Sequence, residues 1–479
     1  MSKYDKYDKY EMTIGIECHV QLATSTKLFS SADNDSRFAE PNSNVNAIDY
    51  GLPGMLPVLN RHAVDLAIKA GKALGSKIAL VSNFDRKHYF YPDLPKGYQT
   101  TQMYNPIIGA GEIEAPLEDG GTVKVRIHHA HMEEDAGKLT HYGDYSLVDL
   151  NRAGTPLIEI VSEPDIHSAA EARAYAVELY RRMTYAGVTH GDLYHGNMRF
   201  DVNISVALKD SNKLGKRTEI KNLNSFRSVE RAAAYEFKRQ VDIIEDGGAV
   251  KQETRGWNDD KQITISQRSK EDEQDYRYMP DPDIPPIVLT QEEIDKIQST
   301  VPHLPDFYRK KWQVLNLDKS VINSLLDNQK YAIEISEIQD NAGDSIAKRV
   351  AHWFASAVSG NEEDNIDLPE KQDLIDLAQM SEKNEISSTS AKELFHDLLK
   401  GATDSRKLAE ERNLLQVSDE AAIAEIVDEV MNDPSSASSI ADIKAGKEKA
   451  IGYLVGQVMK RSRGKANPAL AQKLIRNRL

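Results

Sequence analysis

Over residues 12–22 the even positions Met12, Ile14, Ile16, Cys18, Val20 and Leu22 are apolar, while Glu17 and His19 occupy odd ones. A period of two marks a strand, and it points a carboxylate and an imidazole out of one face, side by side on a rigid element. Either group can ligate a metal or move a proton. The same period returns over 198–206, where Met198, Phe200, Val202, Ile204 and Val206 would pack inward and Arg199, Asp201, Asn203 and Ser205 would share the opposite face. His131-Met132-Glu133-Glu134-Asp135 sets three acids beside a histidine, and Glu159 is stranded inside the apolar run Leu157-Ile158-Glu159-Ile160-Val161. A carboxylate so placed needs a cation as partner. Each segment alone also fits an ordinary half-buried antiparallel strand whose polar face meets water. Together they suggest a sheet with one chemically loaded face.

The elements that must position these groups can be outlined from the same pattern. Strands alternate with Gly- and Pro-containing loops from residue 10 to about 285, and one clear helix lies among them. Ser168 with Glu171 predicts a capping box, Ala172, Ala176, Leu179 and Met183 repeat at helical spacing, and Gly187 can end the helix. This mixture predicts an α+β domain. Near Pro282-Asp283-Ile284-Pro285-Pro286 the composition changes, and Thr290 with Glu293 predicts a second capping box that opens a helical region. A loop is expected at 361–369. From about residue 405 the pattern stays helical, with Ile451, Leu454, Val455 and Val458 on one face, followed by Lys460, Arg461, Arg463 and Lys465. The expected division is 1–290, a catalytic cradle; 291–404, a helical domain; and 405–479, a basic helical tail.

At 479 residues, with 40% hydrophobic and 28% charged residues, the chain reads as several globular domains. It has neither a membrane-length apolar run nor the apolar core of a signal peptide at its start, so a cytoplasmic location is expected. Its single cysteine, Cys18, falls on the apolar side of its strand and reads as core. A net charge of -15 argues against nucleic acid as a partner, but its distribution argues the other way. Residues 442–479 hold ten Lys or Arg and two acids, and a basic tail on an acidic body can hold a phosphate backbone by counterion release. A solvated helical face explains the same residues.

The chain contains no Walker phosphate loop, no G-x-G-x-x-G, no H-E-x-x-H and no cysteine pair. Glutamates converging with one histidine suit a hard cation such as Mg²⁺ or Mn²⁺. Lys87, Lys138, Arg199 and Lys221 supply cations for phosphate. These residue types describe metal-assisted phosphoryl transfer without a Walker loop.

The run from Val148 to Pro164, Val-Asp-Leu-Asn-Arg-Ala-Gly-Thr-Pro-Leu-Ile-Glu-Ile-Val-Ser-Glu-Pro, resembles the signature of the B subunit of aspartyl/glutamyl-tRNA amidotransferases (GatB). The resemblance extends to Ile14-Gly15-Ile16-Glu17-Cys18-His19-Val20, Phe84-Asp85-Arg86-Lys87, Tyr91-Pro92-Asp93-Leu94-Pro95-Lys96-Gly97-Tyr98-Gln99, Glu219-Ile220-Lys221-Asn222-Leu223-Asn224-Ser225-Phe226 and the tail from Gly446 to Pro468. It implies a cradle with an antiparallel sheet like that of glutamine synthetase and guanidino kinases, then a helical domain and a small helical tail. It also implies a ligase that uses ATP and Mg²⁺ to phosphorylate the side-chain carboxylate of Glu-tRNA(Gln) or Asp-tRNA(Asn), and then amidates it. The ammonia would come from glutamine hydrolysed on a separate amidase (glutaminase) subunit, with a third, small subunit joining the two. The resemblance nominates Glu17, His19, Glu134 and Glu159 as the metal site, and the strand pattern supports the first pair and, more weakly, Glu159. Arg199, Lys221 and Asn222 are expected at the reacting groups, with Lys87, Lys138, Asp201 and Asn203 around the nucleotide. A salt-bridged sheet face accounts equally well for Arg199, Asp201, Asn203, Lys221 and Asn222. Lys460, Arg461, Arg463 and Lys465 are expected on the tRNA backbone.

One segment departs from the family pattern. Where a Met-Glu-Glu-Gly-Ser-like stretch is usual, this chain has Leu193-Tyr194-His195-Gly196-Asn197. Two acids have become Tyr194 and His195, which keeps open a tRNA-binding scaffold without phosphoryl transfer. A metal-dependent ligase of a small carboxylate is a third reading.

Overall fold

The alternating segments fold as strands of one sheet. The computed structural model of the protein describes residues 6–211, 213–269, 275–358, 368–416, 420–444, 447–462 and 466–479. Among them, β1 (Tyr10–Gln21), β2 (Gly111–Pro116), β3 (Thr122–Glu134), β4 (Pro156–Ser162), β5 (Met198–Leu208), β6 (Thr218–Leu223), β7 (Glu253–Asn258) and β8 (Ile263–Ser269) lie in the order β8-β7-β6-β5-β1-β4-β3-β2. Neighbours are antiparallel except β6 and β7, which run parallel.

The period-two pattern divides the sheet into two faces. Ile14, Ile16, Cys18 and Val20 of β1, Ile158 and Ile160 of β4, and Phe200, Val202 and Ile204 of β5 are at most 1% exposed and pack in one apolar cluster. That cluster takes in Ala63, Ala67 and Ala70 of α1 (Arg61–Ala73), Tyr175, Leu179 and Met183 of α2 (Ala169–Tyr185), and Val229, Ala232 and Ala233 of α3 (Phe226–Glu245). Cys18 is a core residue, and burial pushes its thiol well above the usual range. The other face carries the charged residues.

Local signals set the helix ends. Ser168 Oγ accepts from the Glu171 amide at 3.1 Å, but the Glu171 carboxylate reaches one residue further back than a capping box requires, to the amide of His167 at 2.6 Å. Both halves of the box form at Thr290 and Glu293, opening α4 (Gln291–Ser299). In the Asn151-Arg152-Ala153-Gly154-Thr155-Pro156 stretch that leads into β4, Gly154 has φ +84° and a Cβ there would lie 2.7 Å from Asp49 Oδ1. Asp49 pairs with Lys27, which is fully buried, so this turn has room only for glycine.

Contacts divide the chain into Met1–Pro305, which holds this sheet, and Asp306–Leu479. The elements described in the second unit are helical, apart from an isolated bridge between Ile386 and Leu415. Near its end, helices Glu420–Met431, Ile451–Arg461 and Pro468–Arg478 close around Ile423, Val427, Leu454, Val458, Leu474 and Ile475. The loop expected at 361–369 lies mostly outside the described residues.

Candidate active site

The register of β5, β1, β4 and β3 turns the sequence pattern into a site. Arg199 pairs with His19, His19 with Glu159, and Glu159 with His131, so four polar side chains form one row across four strands. Two residues along β1, Glu17 pairs with Asp201. His19 Nε2 lies 3.4 Å from Glu133 Oε1 and 3.5 Å from Glu159 Oε2, and His131 Nε2 lies 3.4 Å from that same Glu159 oxygen. Ligand atoms of His19, Glu133 and Glu159 all fall within 4.8 Å of one another. So do those of Glu17, Asp201 and Glu219, and these are the two such groups found among the described residues.

Charges in this space govern one another. Burial opposes protonation of His19 and His131, but hydrogen bonds and charge from Glu159 and Glu133 outweigh it and raise each to about 9. Burial likewise opposes ionisation of Glu159, and the two imidazoles reverse that, holding its carboxyl well below the usual range. Glu17 goes the other way. Burial, and then the charge of Glu159 and Glu219, push its carboxyl up, and Asn203 Nδ2 donates to its Oε1 at 2.9 Å. Lys221 bridges Asp201 at 2.8 Å and Glu219 at 2.9 Å; burial opposes its charge, but the two carboxylates raise it. Lys87, with the Tyr276 ring 4.8 Å from its ammonium, is opposed by burial and raised by Tyr278, Glu133, Tyr276 and Glu159. Arg199 donates to Asp135 at 2.7 Å, and Arg152 reaches the same carboxylate oxygen at 3.3 Å.

Of the residues nominated from sequence, Glu17, His19, Glu159, Arg199, Asp201, Asn203, Lys221 and Lys87 meet on or against this face. Asn222 is beside them in a left-handed conformation (φ +68°), at the β5–β6 irregularity where Phe200 pairs with Leu223 and Val202 with Ile220. Two nominees are elsewhere. Lys138 is exposed on a separate hairpin, in register with Asp149. Glu134 is not grouped with Glu17, His19 and Glu159. It follows Met132 on the opposite side of β3, where its carboxylate pairs with Lys96 and accepts from the Thr100 amide at 3.0 Å. Glu133, which alternates with it, is the acid that faces His19. Period-two counting along β3 from His131 would have found Glu133, and the same counting along Glu219-Ile220-Lys221 would have found Glu219.

Tyr194 and His195 do not interrupt the row. Tyr194 is 93% exposed, and His195 Nδ1 lies 2.5 Å from Asp192. Of the tail cations, Lys460 is exposed and Arg461 pairs with Asp433, while Arg463 and Lys465 lie outside the described residues.

The donor set suits a hard divalent ion: one imidazole and carboxylates whose ligand atoms lie within 4.8 Å of one another. The sequence model of the family described as "GatB/GatE catalytic domain" matches residues 12–295, and that of "GatB domain" matches 335–479. The chain is 43% identical to a Persephonella marina protein named as the B subunit of aspartyl/glutamyl-tRNA(Asn/Gln) amidotransferase, over 98% of this chain and 100% of that protein. Proteins of the same name from Alcanivorax borkumensis and Thioalkalivibrio sulfidiphilus are each 44% identical, over 98% of this chain and 99% and 100% of theirs.

Proposed function

The chain belongs to the family of aspartyl/glutamyl-tRNA amidotransferase B subunits, and on that premise we propose that its sheet face activates and amidates a carboxylate carried on tRNA. A side-chain carboxylate oxygen of Glu-tRNA(Gln) or Asp-tRNA(Asn) attacks the γ-phosphorus of ATP, ADP leaves, and an acyl phosphate forms. Ammonia then adds to the acyl carbon, phosphate departs, a proton is lost, and the side-chain amide remains. The reaction is a ligase reaction with glutamine as the ultimate amide donor. A partner amidase releases the ammonia, a small third subunit joins the two, and the complex works in the cytoplasm.

The observation that carries this reading is the row Arg199–His19–Glu159–His131 with Glu133, on one sheet face with Lys87 and Lys221 close by. Two anions, the carboxylate and the triphosphate, must be brought together, and opposed charges fixed in place before they arrive lower that barrier. His19, Glu133 and Glu159 would hold one Mg²⁺, and Glu17, Asp201 and Glu219 are placed to hold a second. When bound, Mg²⁺ supplies neutralisation of phosphate charge. His131 fixes the Glu159 carboxylate from the far side, as partners behind metal ligands commonly do. Lys221, held by Asp201 and Glu219, and Arg199, held by Asp135, are positioned to orient phosphate oxygens, and Lys87 approaches from the side of Glu133. Residues 1–290 would form the catalytic cradle, 291–404 a helical connector and 405–479 the tail that grips tRNA, with Lys460 on its exposed face.

The test is ammonium-dependent amidation of Glu-tRNA(Gln) and Asp-tRNA(Asn) with ATP and Mg²⁺ by the co-purified complex. Amide formation should be lost in Glu17→Gln and Glu159→Gln while the partner's glutaminase activity persists. Tight tRNA binding with no turnover by the unaltered complex would mark a scaffold and overturn the proposal.

A further inference from the structure

The segment Leu193-Tyr194-His195-Gly196-Asn197 borders a pocket beside the proposed site, which its His195, Gly196 and Asn197 line. The pocket holds about 120 Å³ and is lined by Gln21, Arg37, Asp135, Arg152, His195 and Arg199, among others. Its floor is the Arg199–Asp135 pair, and Arg199 stands opposite His19 in the sheet. Two rings almost wholly in solvent, Tyr194 at 93% and Phe38 at 87% exposure, flank its lining residue His195. The His195 ring lies between them, 5.1 Å from Tyr194 at 84° and 5.9 Å from Phe38 at 69°. Both contacts are edge-to-face. His195 is itself held by Asp192, and Arg37 by Asp35 through two hydrogen bonds of 2.9 and 2.7 Å, so the rim is braced from both sides.

We infer that this aromatic rim is a stacking platform for the unpaired terminal nucleoside of the aminoacylated tRNA. The inference rests on the function proposed above and adds to it the residues that would seat the substrate's end. The reacting carboxylate is joined to the terminal ribose through a single amino acid. When that carboxylate reaches the row of His19, the terminal base must therefore rest farther off by the length of the amino acid, its ester and the ribose. Next along that row is Arg199, and the pocket it lines is also lined by His195, the ring that both Tyr194 and Phe38 touch. Solvent-exposed rings at a pocket edged by guanidinium groups match the two faces of a nucleotide, its base and its phosphate, and stacking tolerates any base. A docking peptide would instead be expected to meet an apolar pocket, and this one is polar.

The test uses the complete complex and tRNA carrying 2-aminopurine in place of its terminal adenine. Stacking should quench its fluorescence on binding. Tyr194→Ala and Phe38→Ala should each remove most of the quench and raise the KM for aminoacyl-tRNA about tenfold, the size of one stacked base, with kcat for ammonia-dependent amidation nearly unchanged. Tyr194→Phe should retain both. Unchanged quench and KM in the two alanine variants would overturn the inference. So would loss of the partner subunits from either variant at an unchanged KM, which would mark a protein-docking rim. Because the quench is read without turnover, an unaltered complex that quenches but makes no amide would refute the proposed reaction and leave the platform standing.

Discussion

Glu133 and Glu134 are adjacent acids with opposite expected phenotypes, which makes them a direct test of the site geometry. Glu134 is 5% exposed and pairs with Lys96, itself 13% exposed and lying 5.1 Å over the Tyr98 ring. Glu134→Gln keeps a carbonyl for the Thr100 amide but leaves the Lys96 ammonium without its counter-charge. Breaking one half of a buried pair typically costs about 3–5 kcal/mol. For a folding unit of this size, roughly 2 °C per kcal/mol predicts a fall in Tm of about 6–10 °C. Lys96→Met should cost a similar amount, and the double variant should be less destabilised than the sum of the two by about 1–3 kcal/mol. Glu133 is equally buried, but its partners are imidazoles that lie near 9 only because carboxylates hold them there. When Glu133→Gln removes one carboxylate, the His19 proton is held less tightly and the ring can relax toward its neutral form, so the fold should lose no more than about 1–2 kcal/mol. Mn²⁺ affinity, read by titration calorimetry or electron paramagnetic resonance, should instead fall at least about tenfold. The reverse pattern, with metal lost in Glu134→Gln and stability lost in Glu133→Gln, would refute the assignment of the two faces of β3.

Four further outcomes are expected. His19 must be neutral to ligate yet sits near 9 without an ion, so Mn²⁺ binding at pH 7 should release protons into the buffer, and affinity should rise with pH up to about 9. In the metal-free protein the sign is opposite for stability: the ion pairs of His19 and His131 contribute fully below about pH 6.5 and fade as pH rises through 9, so metal-free Tm should fall over that interval. Gly154→Ala should be destabilised by more than about 1–3 kcal/mol, because it meets both a left-handed backbone and Asp49 at 2.7 Å, with Tm as the readout. Lys460→Ala should weaken tRNA binding and make the slope of log affinity against log salt shallower by about one, leaving amidation at saturating tRNA intact.

The strands can be read from sequence because each has one wet and one dry face, and burial of alternate side chains leaves a period-two record in the chain. β1, β4 and β5 follow that record, and the residues nominated from their polar positions, Glu17, His19, Glu159, Arg199, Asp201 and Asn203, share one face. What alternation cannot give is register. That His19 stands between Arg199 and Glu159 depends on how three strands distant in sequence are aligned, which is decided by packing on the far side of the sheet. That Glu134 rather than Glu133 is nominated has a related cause. Polar residues fill 131–135 with only Met132 to set the phase, and composition gives the two glutamates equal weight. Lys138 has only its charge to recommend it, and no periodicity ties it to the sheet.

The same packing explains why so many charges are stable on this face before any substrate arrives. Each acid is answered: Glu159 by two imidazoles, Asp135 by Arg199 and Arg152, Asp201 and Glu219 by Lys221. Glu17 is the exception. Its carboxylate accepts from a neutral amide, that of Asn203, and burial together with Glu159 and Glu219 disfavours its charge more than the nearby Lys221 favours it. It is therefore the group whose environment would improve most when positive charge enters the site. Glu17→Gln should accordingly stabilise the metal-free fold slightly, or leave it unchanged, while reducing the gain in Tm that Mg²⁺ confers. A variant that loses stability without metal would show that Glu17 already has a cationic partner and would remove it from the metal-binding set.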